Sequence, residues 1–75
     1  MADQILDAKG LQCPLPVLRA RKALKTVPAG STLTVEATDP SAPKDFAAFC
    51  DATGNRLASS TEEGGIYRFV IERCA

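Results

Sequence analysis

Ser31-Thr32-Leu33-Thr34-Val35-Glu36-Ala37 is the stretch on which the fold turns. Leu33, Val35 and Ala37 alternate with Thr32, Thr34 and Glu36, the two-residue period of a strand with one face buried and the other wet. Such a strand needs a covering layer on one side only. Upstream, Pro28-Ala29-Gly30 is a helix stop, with a proline beyond the last turn and a glycine for the reversal. The segment before it, Pro14 to Thr26, predicts a helix with Val17, Ala20, Ala23, Leu24 and Val27 on one face. Gln4 to Ala8 predicts a short strand, broken by Lys9-Gly10.

Downstream, Asp39-Pro40-Ser41-Ala42-Pro43 reads as a turn and helix start, with Asp39 or Ser41 as the N-cap. Phe46, Phe49 and Cys50 fall on one face of that helix, and Gly54 is the expected C-cap. Arg56 to Glu62 and Ile66 to Arg73 predict a hairpin around Glu63-Gly64-Gly65, with Tyr67, Phe69 and Ile71 pointing the same way. The order βαβαββ predicts a parallel first unit with a right-handed crossover and an antiparallel hairpin. Two helices can cover only one face of four strands. The predicted class is therefore α+β: a two-layer sandwich of a four-stranded mixed sheet with both helices on one face. The 75 residues make a single domain, 1–75, of marginal stability, because so short a chain buries only about 60% of its unfolded surface.

Nine basic and nine acidic residues cancel, so no global attraction to nucleic acid or an anionic membrane is expected. Arg19, Arg21, Lys22 and Lys25 nevertheless fall in one segment without an acid. Glu36, Asp39, Asp45 and Asp51 follow, relieved only by Lys44. Met1-Ala2-Asp3-Gln4 leads into no apolar run, so neither a signal peptide nor a membrane span of roughly 20 residues is expected. Three cysteines do not form a paired framework, and a cytoplasmic, reduced protein is expected.

The three cysteines have different expected fates. Cys13, in Gly10-Leu11-Gln12-Cys13-Pro14-Leu15-Pro16, precedes two prolines that suit a first helical turn. That placement makes Cys13 the expected N-cap, where free N–H groups and the positive end of the helix dipole would lower its pKa and raise its nucleophilicity. The competing reading is a small buried residue, the usual fate of a free cysteine. Cys50 reads as core filler. Cys74 is expected on an exposed, fraying terminus. With no histidine in the chain, imidazole activation is excluded. No metal site is expected from three scattered cysteines, and no CxxC supplies a resolving thiol. Leu15 and Leu18 fall off the apolar stripe, beside Arg19, Lys22 and Lys25. Leu15, Leu18, Arg19 and Lys22 are therefore candidates for a partner-docking patch, against the plainer reading of scattered surface leucines.

The block Leu6-Asp7-Ala8-Lys9-Gly10-Leu11-Gln12-Cys13-Pro14-Leu15-Pro16 resembles the signature of the TusA or SirA-like sulfur carriers, whose Cys-Pro-x-Pro begins the first helix. The similarity continues through Pro28-Ala29-Gly30, Asp39-Pro40, Asp45 to Cys50 and Tyr67-Arg68-Phe69-Val70-Ile71, and so spans the chain. The resemblance implies the same βαβαββ fold. It further implies that Cys13, supported by Pro14 and Pro16, accepts a sulfane sulfur as a persulfide. The donor would be a cysteine desulfurase or rhodanese-like protein, and the sulfur would pass to a downstream acceptor protein. Transfer-RNA thiolation, molybdenum-cofactor formation and sulfur oxidation are the endpoints it implies, and no cofactor is needed. Two departures stand out: Thr38, where the family often has an acid, and Cys74, which is outside the pattern.

The rival readings are a non-catalytic binding or regulatory module and a small RNA-binding domain. Zero net charge, four aromatic residues and a basic face confined to one helix oppose the second. An independent enzyme is least expected, and a carrier that meets several partners through one site is expected to be a monomer.

Overall fold

The computed structural model describes residues 3–74, and six elements follow one another in it. They are β1 (Gln4–Ala8), α1 (Leu15–Leu24), β2 (Thr32–Ala37), α2 (Ala42–Thr53), β3 (Arg56–Glu63) and β4 (Ile66–Glu72). The predicted βαβαββ order is the observed one. The sheet runs β1-β2-β4-β3. β1 lies parallel to β2, with Gln4 opposite Leu33 and Ala8 opposite Ala37. β4 is antiparallel to both β2 and β3.

The alternation in β2 does what its sequence requires. Leu33, Val35 and Ala37 are buried, while Thr32, Thr34 and Glu36 remain partly accessible. Phe69 and Ile71 of β4 and Ala8 of β1 share that inner face, and the two helices close over it with Ala20, Leu24, Phe46, Phe49 and Cys50. Val27, just past α1, fills the same core, while Val17, Ala23 and Tyr67 pack at its margin. Phe46 stacks on Phe69 with centroids 4.6 Å apart and meets Phe49 edge-on at 6.4 Å. The opposite face of the sheet is uncovered, and Ile5 stands 78% exposed on it.

Element ends differ from expectation by one to two residues. α1 closes at Leu24 rather than Thr26 because the chain tightens there. Lys25, Thr26 and Val27 donate to the carbonyls three residues back, Lys22, Ala23 and Leu24, a 3₁₀-type ending. Arg73 then covers the helix end, its Nη1 donating to Leu24 O at 2.8 Å and Val27 O at 2.7 Å. The hairpin turn is Gly64-Gly65, both with positive φ, the backbone that a two-residue turn between twisted strands demands. β3 reaches Glu63 and carries an irregularity between Leu57 and Ser59. Cys50 is core, as expected, and Cys74 is exposed. The latter is less free than a fraying end, since its N–H donates to Asn55 Oδ1 at 3.1 Å.

Candidate functional site

The parallel pairing of β1 with β2 decides where the site forms. Because Ala8 and Ala37 are partners, the loops that leave the two strands start side by side. This is where open sheets gather functional groups, beyond the carboxyl ends of parallel strands. Gly10 N donates to Thr38 Oγ1 at 3.0 Å, so this threonine ties the two loops together. Three residues further on, Cys13 N donates to Asp39 Oδ2 at 2.6 Å.

Cys13 is exposed, but it is not the N-cap. Pro14 takes that position, with φ −99° and ψ 15°, and the Cys13–Pro14 peptide bond is cis. The first turn of α1 also has few donors to offer. Pro14 and Pro16 have no N–H, and the N–H of Leu15 goes to Gln12 O at 2.8 Å. The expectation of a helix-activated thiolate is corrected accordingly. The Sγ of Cys13 lies instead within 4.8 Å of carboxylate oxygens of both Asp39 and Asp45. Its pKa is raised, first by the hydrogen bond with Asp45, then by desolvation and the Asp45 charge; Ser41 opposes the rise, and the Asp39 charge adds the smallest share. A full carboxylate charge beside the sulfur outweighs the partial charge of a helix end in which two prolines lack an N–H and Leu15 and Leu18 already donate to Gln12 O and Pro14 O.

The second loop and α2 hold these carboxylates in place. Ser41, the N-cap of α2, does not cap with its side chain. Its N–H donates to Asp39 Oδ1 at 3.1 Å, and its Oγ lies 3.0 Å from Asp39 Oδ2 and 3.1 Å from Asp45 Oδ2. One hydroxyl proton is thus shared between two acids. The N–H groups of Ser41 and Cys13 also hold the Asp39 carboxyl below its usual range. Cys13, Asp39 and Asp45 are the one group of described residues that brings three ligand-type atoms together. Three donors fall one short of a structural zinc set, and both oxygens of Asp39 already accept hydrogen bonds. The bay is a hydrogen-bonded one, and no metal site is assigned.

Cys13 stands where two depressions meet. One is polar, running from Gly10 to Gln12 and from Thr38 to Ser41. The other is apolar, between the helices, lined by Pro14, Val17, Asp45, Ala48 and Phe49. Pro14 is exposed, whereas Pro16 is buried at the start of α1. Leu15 and Leu18 are 44% and 51% exposed. They share a separate groove with Arg19, Lys22, Leu6, Ala23 and Thr26, so the four docking candidates do come together, next to Cys13 rather than around it. Lys25 belongs elsewhere: with Arg21 it lines a hollow on the opposite flank of α1, beside Arg73.

Comparison with known proteins gives this loop a context. The sequence matches the family described as "Sulfurtransferase TusA" over residues 4–73. The chain belongs to the TusA family. It is 55% identical to the sulfur carrier protein TusA of Allochromatium vinosum, across 95% of this chain and 93% of that one. A putative sulfur carrier protein of Neisseria meningitidis is 49% identical over 96% of this chain and 97% of its own length. In fold, it matches the crystal structure of a SirA-like protein from Desulfitobacterium hafniense with a TM-score of 0.82, covering 96% of this chain and 99% of that one at 24% identity.

Sequence reasoning singled out Cys13, Pro14 and Pro16 but not the acids beside them. Asp39 and Ser41 were read as a helix start, Asp39 and Asp45 as charges in an acidic run and as parts of the segments that carry the resemblance, and none of them as a neighbour of Cys13. The signal that finds them is the parallel β1–β2 pairing, which makes the two loops neighbours.

Proposed function

We propose that this TusA-family protein carries a sulfur atom as a persulfide on Cys13. The observation that carries the reading is an exposed cysteine in a Cys-Pro-x-Pro turn, at the mouth of two shallow depressions, in a chain whose curated relatives are named sulfur carriers. Loading transfers the outer sulfur of a donor persulfide to Cys13. The new Sγ–S bond forms as the donor's S–S bond breaks, the donor thiolate leaves, and the Cys13 proton ends on it. Unloading repeats the exchange toward an acceptor thiol. No net oxidation occurs, and no cofactor is required.

A cysteine desulfurase or a rhodanese-like protein is the fitting donor, and the groove of Leu15, Leu18, Arg19 and Lys22 is the surface we assign to docking. Its apolar floor with two cations at the rim suits a partner segment that presents an aliphatic side chain between carboxylates. The carrier works in the cytoplasm as a monomer, without membrane or direct nucleic-acid contact. Thiolation of transfer RNA, molybdenum-cofactor formation and sulfur oxidation would all use the same cysteine and differ in the partner bound.

Intact-mass measurement after incubation with a cysteine desulfurase and free cysteine tests the reading. The expected result is a gain of one sulfur atom, removed by reductant and absent in Cys13→Ser. If neither that donor nor thiosulfate with a rhodanese charges an accessible Cys13, the carrier reading fails. A protein-binding module, indifferent to Cys13→Ser, then takes its place.

A further inference from the structure

The bay beside Cys13 is built from the wrong charge for a thiolate. Asp45 approaches the sulfur from the first turn of α2, and Asp39 approaches it from the loop after β2. Every other residue lining the two depressions at Cys13 is uncharged. No lysine or arginine offsets the pair among the described residues that act on the thiol. Both acids are also fixed rather than floppy, since Ser41 bridges them and Asp39 holds the Cys13 backbone.

Such a bay treats the empty and loaded forms differently. An empty Cys13 can present a neutral S–H, which donates to the carboxylate. A loaded Cys13 ends in a persulfide, which is an anion at neutral pH and is repelled by it. We infer that Asp45, seated by Ser41 and Asp39, acts as a positioning residue that keeps the emptied sulfur protonated and disfavours the loaded form, so that sulfur is held loosely and passes on. The inference rests on the carrier reading above. In the exchange Cys13–SH + R–S–S⁻ ⇌ Cys13–S–S⁻ + R–SH, atoms, charge and protons balance. Asp45 stabilises the left-hand side and destabilises the right. The bias is one of equilibrium and needs no further reactant. It also leaves the empty carrier slow to react with adventitious electrophiles, because the thiolate is the nucleophile.

The test uses Asp45→Asn, which keeps size and removes charge, with Asp45→Glu as the variant that retains the carboxylate. First, the rate of Cys13 alkylation by iodoacetamide is followed against pH by peptide mass. Asp45→Asn is expected to react at least about threefold faster at neutral pH, with its profile displaced toward acid. Asp45→Glu should fall back toward the parent. Buried Cys50 serves as an internal control, because its alkylation would betray unfolding. Second, each protein is equilibrated with a fixed ratio of glutathione persulfide to glutathione, and the loaded fraction is read by intact mass. Asp45→Asn is expected to hold more sulfur than the parent. A superimposable pH profile, or an unchanged loaded fraction, overturns the inference even though Cys13 still loads. Failure of the parent to take sulfur from any donor overturns the carrier reading instead, and the alkylation profile then decides separately whether Asp45 holds the thiol proton.

Discussion

Arg73 sits at the far end of α1 from Cys13, and replacing it with methionine tests what holds that helix on the sheet. Its guanidinium Nη1 donates to Leu24 O and Val27 O at 2.8 and 2.7 Å, while its backbone pairs with Ser31 O and Gly30 N. The substitution keeps the backbone pairing and the aliphatic stem but deletes the charge. A hydrogen bond to a charged group is worth about 1.5–3 kcal/mol, and a cation at a helix C-terminus about 0.3–1 kcal/mol. These terms overlap and the site is only partly buried, so the expected loss is about 2 kcal/mol. Domains of this size have roughly 4–11 kcal/mol in total, so the loss is a large share. It should lower Tm by roughly 8–16 °C and reduce the urea midpoint at constant m-value. Arg73→Lys, which keeps the charge but carries it on a shorter, more strongly hydrated ammonium, should fall between the two. Below its midpoint Arg73→Met should still load sulfur on Cys13, because ten helical residues, about 15 Å, separate the two ends. A Tm fall of under about 2 °C in circular-dichroism melts would refute the reasoning and mean that water replaces the guanidinium at little cost.

Leu18→Glu introduces a negative charge on the groove assigned to docking. It is expected to slow sulfur transfer with partner proteins at least about tenfold while leaving Tm and loading from small persulfides unchanged; unaltered transfer with every partner would remove the groove from the mechanism. Glu36 is held below its ordinary 4.5, first by its hydrogen bonds with Arg68, at 2.6 and 3.2 Å. A depressed carboxylate contributes stability that is present above the unfolded value and lost as pH falls through the folded one. Arg68→Gln should therefore be less stable than the parent near pH 6 in urea titrations, and the gap should narrow as the pH falls below the ordinary 4.5 and the Glu36 carboxylate takes up its proton. A gap that stays constant with pH would show that the Arg68 contribution is packing rather than charge.

How much was legible follows from which interactions are local. The period-2 run in β2 and the apolar spacing in both helices needed no partner to be read, because burial on one face imposes its period directly on the chain. The same holds for Gly64-Gly65, whose backbone freedom announces the turn. The direction of the Cys13 pKa shift was read from local features too, and there the structure reverses the reading. Pro14 and Pro16 marked a helix start correctly, but the sulfur answers to whichever charges stand nearest in space. Asp45 is 32 positions away in sequence.

Element order, the inward face of each strand and helix, and the cysteine in the loop after the first strand could all be read along the chain. Each of these is a matter of periodicity, backbone restriction or a neighbour within a helical turn. It took the packed fold to show that Asp39, Ser41 and Asp45 gather at that cysteine, that Lys25 turns away from the Leu15–Leu18 groove, and that Arg73 closes the end of α1. Electrostatic energy depends on distance through space, and the parallel registration of β1 with β2 converts a long separation along the chain into a hydrogen bond.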